Sequence, residues 1–529
     1  MSRSTEPATP ALETPDAPAR LDAATWLMVI GVMLAVVLEI LDTSIVNVAL
    51  PSMMGTLGAT VDEISWVATS YIVANVIIIP MTSFFAGRFG RRRYFVGSIL
   101  LFTLASLLCG AARSLPELVL FRVIQGLGGG ALLAVGQSVI VETFPARQQG
   151  TGQAIFGVGA MLGPSLGPTL GGHITDRFSW PWIFYVNVPI GIAAALLCYR
   201  YLPASRTVAR RTEAPDWLGI ALLVTGIAAL QVLLEIGHKH DWFESDQVTL
   251  LAVVAAAALA IFVWHELRCA HPVVDLRVLR HRALVVGCAW GVAMGIGLYG
   301  SIFLFPIFTQ QVLRWTSWQS GMAILPSSIA TALMMPIAGR LVWKLGPAPL
   351  CGAGIALLLP SLWAMSHWTA QTGWWDVLWP QIGRGIALGA MFSPLSVATL
   401  RALPPRDLLQ GSGLYNLFRQ TGGSLGIAVL ATLIDHRGMV HRVHLAEAMT
   451  PFADATRVRL AQFTAGLAAR GLSPGEAAAG ARKLLNAVLD TQAAVLAFAD
   501  CYWMILCVFL LLVPLVPLLR RPEAMTPSA

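Results

Sequence analysis

The chain has 529 residues, of which 56% are hydrophobic and only 12% charged, with a formal net charge of +7. That charged fraction is about half of what a soluble domain carries, and the apolar runs are too long for the ten-residue alternating strands of a membrane β-barrel. The positive charge is split among tails and short loops rather than gathered on one face, which excludes a nucleic-acid-binding surface.

Residues 1–25 combine prolines with mixed charge and no apolar core, and read as a disordered tail rather than a cleaved signal peptide. Fourteen apolar windows follow, each long enough to span a bilayer as a helix: 26–48, 64–86, 94–112, 116–141, 152–174, 182–202, 216–236, 248–267, 284–309, 320–342, 349–367, 376–400, 411–434 and 496–519. The expected fold is an all-α polytopic membrane protein. Basic clusters follow the even-numbered spans: Arg88 with Arg91, Arg92 and Arg93; Arg200 with Arg206, Arg210 and Arg211; and Arg268 with Arg277, Arg280 and Arg282. The short loops on the other side hold only Arg113, Arg177, Lys239 and Arg314. The positive-inside rule then puts both termini in the cytoplasm, in keeping with an even number of spans.

The first span carries Glu39 and Asp42, three residues apart and so on one face of a helix. Carboxylates at membrane depth are costly, and they mark ion or solute paths far more often than anchors. The fourth span reads Arg122-Val123-Ile124-Gln125-Gly126, a buried cation that needs a carboxylate or several acceptors. Its expected partner is Asp42 or Glu39, with Gln125 one turn along. Protonating the acid would release the arginine and bias one conformation over another.

The loop between spans two and three contains Arg88, Gly90 and Arg91, for which a gating role and a topology-setting role both stay open. In the fifth span, Gly159, Gly163, Gly167 and Gly171 recur every four residues, with Pro164, Pro168 and Gly172 beside them. Such a stripe gives a smooth face for close helix approach, and the prolines bend the helix. A bendable helix seated on the opposite half of the molecule suits a rocking transporter.

An internal repeat pairs Gly126 with Gly385, Gly130 with Gly389, Pro145 with Pro404, Arg147 with Arg406, Gly163 with Gly422 and Gly167 with Gly426, each pair 259 residues apart. Two similar halves facing across a midplane cavity is a transporter plan. The expected division is a tail at 1–25, a first bundle at 26–205, two inserted spans at 206–270, a second bundle at 271–519 and a tail at 520–529. The second bundle includes a long external stretch at 435–495. Within it, Ser473-Pro474-Gly475-Glu476 predicts a capped helix start. Arg384, Arg419, Tyr415, Phe418 and Asn47 are the candidates to line a substrate cavity.

With Leu41-Asp42-Thr43-Ser44-Ile45-Val46-Asn47 in span one, the Arg-x-x-Gln-Gly run in span four and the glycine-proline pattern in span five, the chain resembles the major facilitator superfamily. Within it, the likeness is to the fourteen-span drug:proton antiporters of the EmrB/QacA type, closest to the EmrB branch. The resemblance extends to Asp241-Trp242-Phe243, Pro272-Val273-Val274-Asp275-Leu276 and the long external stretch. It implies two pseudo-symmetric six-helix bundles plus two inserted helices, with Asp42 and Arg122 as proton-coupling residues. Glu39, where the EmrB pattern has an uncharged residue, is either a second proton site or a cavity residue. Ser83 and Gly87 stand where the family's gate loop has glycine and aspartate, which departs from its charge-relay form.

The implied activity is proton-driven efflux of amphipathic drug-like compounds across a bacterial inner membrane, with no cofactor. A periplasmic EmrA-like adaptor and an outer-membrane channel are the implied partners. Two rivals remain: a dedicated exporter of one metabolite, fatty acid or siderophore, and a non-transporting membrane sensor. No nucleophile, base and orienting group converge, so no enzyme activity is expected. No metal site is assigned either, because His436, His441 and His444 are loosely spaced with no fixed acid. Gly126–Gly130 lies inside a span without a preceding strand, so it is not a nucleotide loop.

Overall fold

A computed structural model describes residues 22–145, 148–203, 216–450 and 452–519. Residues 1–21 of the tail predicted at 1–25, the tail at 520–529, Arg147 of the repeat, and Arg206, Arg210 and Arg211 lie outside the described residues, and the first helix already starts at Ala23, within the predicted tail.

Hydroxyl and carboxyl side chains set the helix starts. Asp22 accepts from the Thr25 amide at 2.9 Å to open α1 (Ala23–Leu57), and a Thr60–Glu63 capping box opens α2 (Val61–Phe89). α3 (Arg91–Ala111) follows after Gly90 alone, whose φ of 84° is one that side-chain-bearing residues avoid. Next come α4 (Leu115–Thr143), α5 (Gln149–Arg177), the short α6 (Trp182–Tyr185), α7 (Asn187–Tyr201), α8 (Trp217–Ile236) and α9 (Asp246–Arg268). The remaining helices are α10 (Arg282–Ile307), α11 (Ser317–Leu345), α12 (Pro347–Met365), α13 (Trp374–Leu400), α14 (Leu408–Ala448), α15 (Asp454–Ala468) and α16 (Pro474–Leu512).

Twelve helical segments among the described residues are long and apolar enough to cross a membrane. α5 and α13 coincide with the other two predicted windows and have 29 and 27 residues. The sixth predicted span is broken into α6 and α7. Pro189 has no amide proton to give to the Tyr185 carbonyl one turn earlier, so the helix restarts.

The 435–495 stretch is helical beyond the one helix start expected in it at Ser473–Glu476. α14 runs unbroken for 41 residues, with no proline to stop it, and α16 runs for 39 from the predicted Ser473–Glu476 capping box. Side chains tie these two helices together. Asp500 Oδ2 accepts from Arg437 Nε at 2.5 Å and lies 2.8 Å from His441 Nε2, and Arg442 Nε donates to Asp490 Oδ1 at 2.7 Å.

In the first part of the chain, α1 packs on α4, α5 and α7, α2 on α4, and α3 on α4 and α7; in the later part, α10 packs on α13 and α14, α11 and α12 on α13, and α16 on α12 and α14. The repeat is visible in the helix starts, since Ala23 and Arg282, Leu115 and Trp374, and Gln149 and Leu408 are each 259 residues apart. These two sets meet where α5 packs on α11 and α13, and where α14 packs on α2 and α4. α8 packs on α9 and also reaches both α2 and α14. The turn after α8 is tied to α14 by Trp242 Nε1, which donates to Thr432 Oγ1 at 2.8 Å.

Candidate functional site

α1, α2, α4 and α7 converge on one buried charge pair. Asp42 is fully buried and Arg122 is 1% exposed; Asp42 Oδ2 and Arg122 Nη1 form an ion pair. Two side-chain amides satisfy the other carboxylate oxygen: Gln125 Nε2 and Asn187 Nδ2 donate to Oδ1 at 2.9 and 3.0 Å. Arg122 also donates to the Val67 carbonyl (Nε, 2.9 Å) and to Gln125 Oε1 (Nη1, 2.7 Å). Its guanidinium lies 4.1 Å from the centroid of the Tyr71 ring. Desolvating two charges is tolerable only with this degree of hydrogen bonding, and removing either partner alone strands the other. Of the two acids predicted for Arg122, the structure brings Asp42.

Glu39 turns instead toward α2. It is buried, and Asn75 Nδ2 donates to its Oε1 at 3.0 Å, while Oε2 has no hydrogen-bond partner among the described residues. The same Asn75 amide lies 3.4 Å from the Tyr71 hydroxyl oxygen. Tyr71 therefore touches both networks, with its ring under Arg122 and its hydroxyl toward Asn75 and Glu39. Two buried acids are thereby joined through one tyrosine.

The glycine stripe of α5 faces α1, not the opposite half of the molecule. A Cβ on Gly159 would collide with Met33, one on Gly163 with Ile40, one on Gly167 with Ser44 and one on Gly171 with Ile45. Gly172 sits at the edge of this contact, with Val48 at 3.8 Å. Ser44 Oγ donates to the Gly163 carbonyl at 2.9 Å, a further tie across the same interface. The side chains of Pro164 and Pro168 are outside the described residues. The expected contact with the other half exists on another face of α5: Cβ atoms on Gly150 and Gly157 would strike Gly339 and Met335 of α11. A period of four residues defines a helix face but not its neighbour, and α5 carries glycine on two faces.

The predicted gate loop is the one-residue turn at Gly90. Arg88 and Arg91 are half-buried, and Arg91 forms an ion pair with Glu142 near the end of α4. Of the cavity candidates, Asn47 is exposed, Phe418 half-buried and Tyr415 buried. Arg419 Nη2 donates to Asn416 Oδ1 at 2.9 Å. Arg384 Nη2 donates to Ser327 Oγ at 3.2 Å, and its Nε and Nη1 find no partner among the described residues.

Sequence reasoning passed over several residues that the structure brings into play. Asn75, Tyr71 and Asn187 complete the acid networks, and Ser106 receives a hydrogen bond from Asn187 Nδ2 at 3.1 Å. Asn416 Nδ2 donates to Gln137 Oε1 at 2.7 Å, joining α14 to α4. The one signal available was a neutral polar side chain in mid-span.

Residues 32–427 match the family model described as Major Facilitator Superfamily. The chain is 34% identical over 505 residues to "Multidrug export protein EmrB" of Escherichia coli (strain K12), covering 94% of this chain and 95% of that one. It is 32% identical over 508 residues to "Fatty acid resistance protein FarB" of Neisseria gonorrhoeae, covering 96% and 98%. Among solved structures, the crystal structure of the human organic anion transporter MFSD10 matches with a TM-score of 0.58 at 14% identity, over 92% of this chain and 100% of that one. The proton:xylose symporter XylE matches with a TM-score of 0.54 at 13% identity, over 93% and 96%. At such identities the two structures speak to fold alone.

Proposed function

The chain belongs to the major facilitator superfamily, and we propose that it is a proton-coupled exporter of amphipathic compounds seated in a bacterial inner membrane. It is a multi-pass membrane transporter related to multidrug and solute efflux proteins, and not an enzyme. The finer reading has fourteen spans with both termini cytoplasmic, arranged as two six-helix bundles and an inserted pair, α8 with α9.

The observation that carries proton coupling is the enclosed Asp42–Arg122 pair with its three amide and carbonyl neighbours. A proton arriving at Asp42 removes the negative charge that holds Arg122 against α1. Arg122 then needs new acceptors, and a conformation that supplies them gains in population. Glu39 serves as a second protonatable group, reached through Tyr71 and Asn75. No cofactor is needed; the proton gradient is the energy source.

The helical extension formed by α14, α15 and α16 is the proposed docking surface for a periplasmic adaptor, which would hand substrate to an outer-membrane channel. An exporter dedicated to one kind of molecule is the runner-up, because the relative from Neisseria gonorrhoeae bears the name of a fatty acid resistance protein.

Reconstitution in liposomes with an internal pH dye tests the proposal, using lipophilic cations, weak acids and neutral drugs as additions. Wild-type protein should show substrate-evoked proton flux, and Asp42→Asn should abolish that flux while retaining substrate binding. Full uphill export by Asp42→Asn would overturn the assignment. A response confined to one class of compound would favour the dedicated exporter.

A further inference from the structure

The inserted pair carries a side-chain cluster that transport does not use, far along the chain from Asp42 and Arg122. Asp216 is the N-cap of α8, His265 lies in the last turn of α9, and Cys269 is the C-cap of α9. His265 and Cys269 are four residues apart, the spacing that puts two side chains over one another on a helix. The ligating atoms of all three lie within 4.8 Å of one another. On a tetrahedral ion, two ligand atoms stand roughly 3–4 Å apart, so small side-chain adjustments suffice to share one.

Local bonding aims the groups inward. Asp216 Oδ1 is occupied by the Gly219 amide at 2.9 Å, which turns Oδ2 toward His265 Nε2 at 2.7 Å. Behind them lies Glu266, only 1% exposed. Its Oε1 accepts from the Val274 amide at 3.4 Å, and its Oε2 has no hydrogen-bond partner among the described residues. A Cβ on Gly219 would lie 2.6 Å from Asp216 Oδ2 and 3.0 Å from Glu266 Oε1, so the absence of a side chain there lets both carboxylates approach. Hydrogen bonds from His265 and Cys269 to Asp216 would not account for the orphaned buried carboxylate oxygen of Glu266.

Thiolate, imidazole and carboxylate together are a donor set for zinc-class ions, not for magnesium or calcium, which take oxygen ligands. We propose that Asp216, His265 and Cys269 bind one zinc-class divalent transition-metal ion, with Glu266 as the adjoining carboxylate. The ion would pin the start of α8 to the end of α9 and so fix one end of the inserted pair. Binding releases the thiol proton to solvent and leaves the metal's charge and oxidation state unchanged.

Cobalt(II) is the probe of choice because thiolate-to-cobalt charge transfer gives a near-ultraviolet band. The full-length protein, purified in detergent on an affinity tag without histidine and stripped with chelator, should take up one equivalent of cobalt with that band. Zinc should displace it. Cys269→Ser should lose the band, and Gly219→Ala should weaken binding by about tenfold or more, the loss typical of a disturbed metal-site neighbour. Cys507→Ser, which removes the one exposed cysteine, should keep the band. Zinc should also raise the unfolding temperature of wild-type protein and not that of His265→Gln, a readout of the native-state site that needs no folded Cys269 variant. No charge-transfer band in stripped wild-type protein, or a band surviving in Cys269→Ser, would overturn the proposal.

Discussion

Asp42 has both carboxylate oxygens engaged, by Arg122 on one and by Gln125 and Asn187 on the other. Its substitution by alanine should cost about 3–5 kcal/mol of stability, since it strands a buried guanidinium. Asparagine preserves shape and is the cleaner variant for coupling. Tyr71 allows a finer test. Tyr71→Phe keeps the ring beneath Arg122 and deletes the hydroxyl that faces Asn75. The expected result is a folded protein that binds substrate normally, with proton flux in liposomes slowed by roughly two- to tenfold, the weight of one ordinary buried hydrogen bond. Unchanged flux would mean that Glu39 and Asp42 act separately. Asp42 and Arg122 were legible in the sequence because a charge at membrane depth stands out against its surroundings. Asn75 and Asn187 were not, because neutral polar residues are common in spans and their neighbours lie on other helices.

Helices were easier to read than helix contacts. Long apolar windows predicted nearly every membrane-length helix, and the Ser473 box marked the start of α16 to the residue. The partner of the α5 stripe could not be read this way, since spacing fixes which residues share a face and not what that face meets. Its assignment to α1 is reinforced by the repeat: Gly422 and Gly426 of α14 pack on Val292 and Ile296 of α10, as Gly163 and Gly167 of α5 pack on Ile40 and Ser44 of α1. Gly167→Val should therefore drive a branched side chain into Ser44, at a cost of about 1–3 kcal/mol for overpacking. The expected outcome is a lower unfolding temperature together with lost export. Gly172→Ala, with only Val48 near among the described residues and at 3.8 Å, should leave both unchanged. Equal effects from the two would remove the case for the stripe as an α1–α5 interface. In the α14–α16 extension, deletion of 452–490 should abolish pull-down of the proposed adaptor while leaving substrate-evoked proton flux in liposomes intact. Retained pull-down would exclude this surface.

At the scale of the molecule, the contacts between the two halves concentrate toward one end. Trp26, near the start of α1, packs on Phe144 after the end of α4, and Val516 lies against Gly352 near the start of α12, so both ends of the described chain come to that side. Near it, Gly150 and Gly339 meet backbone to backbone. Ser393 Oγ donates to the Gly150 carbonyl at 3.1 Å, and Ser412 Oγ to the Ala134 carbonyl at 2.9 Å. Asn416 and Gln137 close the same seam. That both chain ends share a side was expected from the loop charges, but the seam itself was not legible, because each of its contacts joins residues more than a hundred positions apart and uses small or neutral side chains that carry no local signal. Hydrogen bonds among hydroxyls, side-chain amides and backbone carbonyls hold this seam, and such bonds can part and re-form at modest cost. An exporter that alternates between two sides of the membrane has to part it once per cycle. Gln137→Cys with Asn416→Cys places one thiol on each side of the seam, and a short thiol-specific cross-linker should join them in resting protein. Joined protein should retain substrate binding from the open side and lose proton flux, and cleaving the linker should restore the flux. Flux that persists while the seam is linked would mean that these halves do not separate during transport.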